Sequence, residues 1–375
     1  MNLANFKYSF VALAAVAGVF TSCSDSDDND FDDNGSKVVL GNNRVFILNE
    51  GTMGMNNANI TYYNPDKSGD IIADIFKLQN GVQLGDNGND LIEYNDDMYV
   101  AVYGSNYLAR LNSAGVEMVR KEFASDADFR GGIRSIDADN GFIYASFYGG
   151  VVAKFDARTL EVKAKLTTTG SNLEDLVVED GKIYVANSYA IIDGVYTYLD
   201  ELIVVDARTF TQLPSIKVTS NPNRVLEADD KIFVISNDYS QESYVLQMVE
   251  PRNDNKVTVI GYATDMAEDD DVLYLVDSRT DYTTTPFTTT NTFYSYDIKR
   301  GSLSNTSFLR NAPAELASAS VYSMAVDDET GDIYINTTYY TYSNGDVYRF
   351  RRNGTFVEKF DCGGQNPRAM VFMDR

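Results

Sequence analysis

Leu176-Val177-Val178-Glu179-Asp180-Gly181-Lys182-Ile183-Tyr184-Val185 is the stretch that decides the fold. An apolar run enters an acidic, glycine-bearing turn and an apolar-aromatic-apolar run leaves it, which is how two strands joined by a tight turn read. The pattern returns at Leu91-Ile92-Glu93-Tyr94-Asn95-Asp96-Asp97-Met98-Tyr99-Val100. Its second half recurs at Val45-Phe46-Ile47, Ile143-Tyr144-Ala145, Ile232-Phe233-Val234, Leu273-Tyr274-Leu275 and Ile333-Tyr334-Ile335. The central aromatics, Phe46, Tyr99, Tyr144, Tyr184, Phe233, Tyr274 and Tyr334, are separated by 53, 45, 40, 49, 41 and 60 residues. Those are blade-sized intervals.

Each anchor is followed by a polar loop, a second alternating strand, a turn and a third strand, as in Val151-Val152-Ala153-Lys154-Phe155-Asp156 before Ala157-Arg158-Thr159. Four short strands per unit make a propeller blade. The sequence therefore predicts an all-β, seven-bladed β-propeller with four-stranded antiparallel blades. Helical periodicity is missing, and only Asn311 to Ser320 invites a short helix. The first anchor strand, Arg44 to Asn49, lacks an apolar strand before it, while the chain ends in Asn366-Pro367-Arg368-Ala369-Met370-Val371-Phe372-Met373. The last strand is expected to complete blade one and so remove an exposed sheet edge.

Ahead of the propeller, Lys7 and the apolar run Phe10 to Phe20 lead to Thr21-Ser22-Cys23. That reads as a secretory signal over residues 1–22. A cysteine at this place is similar to a bacterial lipoprotein processing site, so Cys23 is the expected lipidation site. The acidic run Ser24 to Asp33 resembles the export signal that sends lipoproteins of gut anaerobes to the outer face of the outer membrane; its alternative is a plain solvated linker. Residues 23–40 form the expected tether, with Ser24 to about Lys37 disordered because so charged a segment does not offset its ordering entropy, and 41–375 the propeller. With Cys23 lipidated, Cys362 has no intramolecular partner.

A formal charge of −24 argues against nucleic acid, whose phosphates demand Lys and Arg. The chain has no His. That excludes a Ser-His-Asp triad and removes the usual proton-transfer residue at neutral pH. No cofactor is implied, and a binding protein is expected in preference to an enzyme, a Tyr, Arg and carboxylate lyase or hydrolase being the lesser alternative.

With strands A to D counted outward from the channel, the A–B turns are short and acidic, as at Asn95-Asp96-Asp97 and Asp139-Asn140-Gly141. Asp, Asn and Gly there supply turn angles. The B–C loops on the other face differ. They carry Tyr103, Asn106, Tyr107, Phe147, Tyr148, Asn187, Tyr189, Asn237, Tyr239, Arg279, Tyr282, Tyr339 and Tyr340. Tyr and Asn together give rigid contact area and adaptable hydrogen bonds, the composition of binding surfaces, although tyrosines in strands also simply pack. Aligned repeats place Asp90, Arg134, Glu174 or Asp175, Arg224, Asp265, Tyr322 and Arg368 near the starts of successive inner strands, as a charged ring at the channel mouth. Arg134, Arg224 and Arg368 either offer a polar ligand forked donors or close a self-satisfied ring that plugs the channel.

Ile47-Leu48-Asn49-Glu50-Gly51, Asn59-Ile60-Thr61-Tyr62-Tyr63-Asn64-Pro65, Phe76, Asn80-Gly81 and Leu84-Gly85-Asp86 resemble the start of the YncE-like, DUF5074-type propeller lipoproteins of gut anaerobes. The likeness covers most of the chain as repeat architecture and is close in blade one. That group includes a surface-exposed corrinoid binder that sits over a TonB-dependent outer-membrane transporter. The resemblance therefore implies capture of a vitamin B12-type corrinoid, or another scarce nutrient, at the cell exterior, and its handover to a transporter. Without His, cobalt has no imidazole ligand here, so recognition would use the ring periphery. Glycan capture by the same loops is the alternative, and a structural or adhesive role remains open to a propeller.

Overall fold

All seven aromatic anchors lie in the second strand of a four-stranded antiparallel sheet. The computed structural model describes residues 31–239, 241 and 243–375. The leader read at 1–22, Cys23 and the first part of the acidic run lie outside the described residues. Blade one is Pro367–Met373, Arg44–Asn49, Asn59–Tyr63 and Ile71–Ile72 from the channel outward, so the C-terminal strand completes it. Blades two to seven begin at inner strands Gly88–Tyr94, Ile133–Asp139, Asn172–Glu179, Pro222–Ala228, Asp265–Asp269 and Val321–Val326. Each inner strand touches the next, and Val321–Val326 touches Pro367–Met373, which closes the ring.

Each anchor is buried in a different apolar cluster between neighbouring sheets. Phe46 packs between blades one and two with Val100 and Leu111, Tyr144 between blades three and four with Leu173 and Val185, and Tyr334 between blades seven and one with Val45 and Ile47. Tyr99, Tyr184, Phe233 and Tyr274 fill the other four seams. The sequence repeat is thus the repeat of inter-blade packing, and burial of each such side chain contributes about 1.5–3 kcal/mol.

The acidic A–B turns have a backbone cause. Asn95 and Asp96, Asn140 and Gly141, Asp180 and Gly181, Asp229 and Asp230, and Asp270 and Asp271 are consecutive pairs at φ between 48° and 82°. Two positive φ angles define the hairpin turn whose twist matches that of its strands, and Asn, Asp and Gly tolerate it best.

Two expectations differ from the structure. Ile75–Asn80 is a helix, capped by Asp74, whose side chain accepts from Lys77 N, and ended by Gly81 at φ 75°. Six residues are too few to display a helical period. A 3-10 turn at Ala314–Ala317 falls where a short helix was expected. In the tether, Asp33 pairs with buried Arg44 at 2.6 Å, Lys37 N donates to Gln79 Oε1 at 2.8 Å, and the Arg44 guanidinium lies 4.0 Å from the centre of the Phe31 ring. Residues 31–37 are therefore docked on blades one and two instead of disordered, because blade one supplies partners that their composition does not reveal.

Candidate ligand-binding face

The channel mouth on the B–C side is built by a repeated irregularity of the inner strands. The register slips by one residue between Gly88 and Asp90, Ile133 and Ile136, Leu173 and Leu176, Pro222 and Arg224, Val321 and Ser323, and at Arg368 opposite Leu48 and Asn49. A bulge re-aims side chains and interrupts strict alternation. Consecutive residues such as Glu174 and Asp175 thereby both reach the channel cavity.

The charged ring is largely paired. Arg134 donates to Glu174 Oε2 from Nε at 3.1 Å and Nη2 at 2.6 Å, and to Asn89 Oδ1 at 2.9 Å. Arg224 grips Asp265 Oδ1 at 2.8 and 2.6 Å, whose other oxygen accepts Met324 N at 2.7 Å. Arg368 Nε donates to Asn89 O at 2.6 Å, and its Nη1 is 3.6 Å from Glu50 Oε2. Glu50 also accepts from the Tyr322 hydroxyl and, at 2.8 Å, from Asn87 Nδ2. Burial pushes the Tyr322 phenol well above its ordinary range, and the Glu50 charge adds to this. Sequence reasoning missed Glu50, although its place at the end of the first B strand pointed to this mouth.

Around the ring runs an arc of tyrosines. The Arg134 guanidinium lies 4.8 Å from the Tyr103 ring centre and 4.7 Å from that of Tyr148, a cation–π arrangement on both. The Tyr148 hydroxyl donates to Glu174, and its phenol is pushed up by burial and then by the Glu174 charge. Ring centroids continue from Tyr103 to Tyr148 at 5.7 Å, to Tyr189 at 6.3 Å and to Tyr196 at 5.4 Å, with a further pair, Tyr198 and Tyr239, at 5.6 Å. Gly131 and Gly132 make the first step of this arc fit. A Cβ on Gly131 would lie 1.7 Å from Tyr148 O, and one on Gly132, at φ 92°, would lie 2.7 Å from the Tyr103 ring.

Farther round, a cavity of about 550 Å³ opens between blades five and six, lined by Tyr239, Tyr244, Arg279 and Tyr282 among others. Arg279 Nε donates to Asp277 Oδ1 at 2.7 Å, and its guanidinium is 5.7 Å from the ring centres of both Tyr244 and Tyr262. Tyr339 and Tyr340 stand exposed on blade seven, where the Tyr339 hydroxyl donates to Asp346 at 2.7 Å.

Several candidates are instead interior. Asn106 is buried, donating to Phe129 O and accepting from Ile133 N. Tyr107 and Phe147 are buried in apolar clusters, and the Tyr107 hydroxyl donates to Leu84 O. Asn187 is fully buried, its amide held by Glu201 at 2.9 Å and Ser171 N at 3.1 Å. Asn237 lies in a strand and bonds Asn221 through its backbone. The supposed blade-four loop is a hairpin of long strands, Lys182–Ile192 and Val195–Asp206, so Tyr189 stands on a rigid strand. Polar composition had placed these residues in loops, but strand pairing carries the chain further out than composition reveals.

At the opposite end of the channel, Asp137 accepts from Val178 N and Ala138 N, each at 2.7 Å. Burial pushes its carboxyl up to about 7, with Asp90 and Asp175 adding to the rise. A raised carboxyl pKa means the folded state holds the proton more tightly than the unfolded one. This contribution is present at low pH, declines as pH rises from about 4, and is gone above about 7. The wild type should lose stability from pH 5 to 8, and Asp137→Asn should flatten that decline by up to about 1.4 kcal/mol per pH unit. Urea midpoints across this range check it, and equal slopes contradict it.

Among solved structures, a quinonprotein alcohol dehydrogenase-like protein from Bacteroides thetaiotaomicron is similar at TM-score 0.61 and 12% identity, over 88% of this chain and 78% of that one. Kuenenia stuttgartiensis hydrazine synthase is similar at TM-score 0.56 and 11% identity, over 71% and 77% of the two chains. The computationally designed Ika8 protein gives TM-score 0.51 and 10% identity over 87% and 89%. At these identities the likeness is one of fold. No curated protein sequence matches the chain. A family model described as a domain of unknown function, DUF5074, matches residues 43–373, and the chain, with its seven closed blades, belongs to that family.

Proposed function

We propose that this protein is a surface lipoprotein that binds a nutrient on its tyrosine-rich face, a corrinoid above other candidates, and passes it to a TonB-dependent outer-membrane transporter. The observation that carries the reading is the asymmetry of the two mouths. One bears the arc Tyr103, Tyr148, Tyr189, Tyr196 around charged hydrogen-bonding groups, and the other bears tight acidic turns. A corrinoid is broad, amide-rich and partly apolar, so ring faces and fixed polar groups suit its periphery. The membrane anchor and the exterior location rest on the sequence pattern around Cys23 and on the family resemblance. Binding, not catalysis, is the proposed role.

Cobalamin should release or absorb heat on titration and raise the melting temperature. Tyr189→Ala combined with Tyr239→Ala should weaken it at least about tenfold, or about 1.4 kcal/mol, as loss of an aromatic anchor does. No heat together with no melting shift rules the corrinoid out. Glycan capture is favoured by the exposure of Tyr196, Tyr282 and Tyr342 (66%, 72% and 90%), open to stacking on sugars. Retardation of the protein by soluble polysaccharide in a gel would support it.

A further inference from the structure

Within the charged ring, a cavity of about 220 Å³ is lined by Asn89, Asp90, Ser135, Asp175, Arg224 and Arg368 among others. Asp90 Oδ2 and Asp175 Oδ1 lie 2.8 and 2.7 Å from the same Ser135 hydroxyl, which has one proton to share between them. Their other contacts are backbone amides: Leu91 N and Ile136 N, each at 2.9 Å, on Asp90, and Leu176 N and Val225 N, each at 3.0 Å, on Asp175. No ion pair within 4.0 Å is formed by either carboxylate among the described residues. Burial, and next the Asp175 charge, push the Asp90 carboxyl above its ordinary range.

Arg224 and Arg368 both line the cavity, close enough for each to oppose the other's charge. Arg224 spends Nε and Nη2 on Asp265, leaving Nη1 outside that pair, and Arg368 forms a longer ion pair, 3.6 Å, with Glu50. Three carboxylates, Asp90, Glu174 and Asp175, and two guanidiniums border this one space; Glu174 is paired with Arg134, whereas Asp90 and Asp175 have no cation within 4.0 Å among the described residues.

We propose that this cavity is a second binding site, inside the ring that the tyrosine arc surrounds, for a small zwitterion of the α-amino acid class, its ammonium held by Asp90 and Asp175 and its carboxylate by Arg224 and Arg368. A simple anion would meet the two aspartates, and a simple cation the two guanidiniums. A molecule carrying both charges on one carbon satisfies both pairs, because a guanidinium fork matches a carboxylate and an ammonium supplies the positive charge that neither aspartate has within 4.0 Å. A space of about 220 Å³ suits a small molecule with a short side chain.

The test titrates glycine, L-alanine and L-serine into the protein, with acetate, methylammonium and L-tryptophan as comparisons. At about 10 mM, enough to reveal even millimolar affinity, the three small amino acids should raise the melting temperature and give heat, and the comparisons should not. Asp175→Asn and Arg368→Met should each weaken L-alanine at least tenfold, whereas Tyr239→Ala, in the cavity between blades five and six, should leave it unchanged. If either channel variant fails to fold, the probe series on the unaltered protein still decides. The proposal is overturned if none of the three binds, if acetate or methylammonium alone binds as well as L-alanine, or if folded channel variants bind as the wild type does.

Discussion

Ending the chain at Asn366, so that Pro367–Met373 is lost, should abolish the cooperative thermal transition. The strand is the inner edge of blade one, in register with Arg44–Asn49 from Arg44 opposite Met373 to Asn49 opposite Pro367. Val371 and Met373 are buried with Phe46, Leu48 and Ile60, while Met370 and Phe372 pack on the blade-seven side, the Phe372 and Tyr334 rings 5.1 Å apart. Its removal opens the seams on both sides of blade one at once. At about 1.5–3 kcal/mol for each fully buried apolar side chain, the loss rivals the about 5–15 kcal/mol that keeps a domain folded. Exposed ladder groups on Arg44–Asn49 add to the cost and invite aggregation. Calorimetry should show no cooperative peak, and a synthetic peptide of residues 366–375 should restore one. A truncated chain that melts cooperatively by itself contradicts the closure.

Arg349→Met should cost about 3–5 kcal/mol, the second largest effect expected. Arg349 is buried in blade seven and donates to Asp332 Oδ2 at 2.7 Å, to the Tyr63 hydroxyl at 2.8 Å and to Pro65 O at 2.7 Å, so it ties blade seven to blade one. The Asp332 side chain is 2% exposed. Removing one partner of a buried pair leaves an uncompensated charge, which is what makes such losses large. Arg351, 3.1 Å from the same oxygen but half exposed, offsets part of it and places the cost toward the lower end of the range. Replacing both charges, as Arg349→Met with Asp332→Leu, should recover much of the loss, since a hydrophobic replacement of similar volume is often neutral. Urea unfolding measures both, and a single-variant cost below about 1 kcal/mol contradicts the reading.

What was legible in the sequence was whatever repeats. The anchors Phe46 to Tyr334 fill one seam each, and a side chain that meets the same environment seven times leaves a period in the chain. Blade closure was legible for a related reason, since a first unit short of a strand and a last strand without a unit define one another. The interior of the mouth was not. Reading by strict alternation allows one of Glu174 and Asp175 to face the channel, but the bulge between Leu173 and Leu176 turns both inward, and a bulge leaves no mark in composition. Tyr107 and Asn187 failed as surface residues because a hydroxyl or amide satisfied by Leu84 O or Glu201 sits comfortably in the interior, where the same residue types on the surface would read identically. Pairing across the ring, such as Glu50 with Tyr322, joins residues 272 positions apart, and nothing local encodes that contact.

Hydrogen–deuterium exchange with and without cobalamin tests the central claim most directly, because it reports which mouth is covered. The account predicts slowed exchange in residues 103–106, 148–150, 187–198, 237–239 and 243–244 around the tyrosine arc, with the acidic turns at 95–97, 139–141 and 270–271 unchanged. Protection confined to those acidic turns, or no protection at saturating cobalamin, would contradict it.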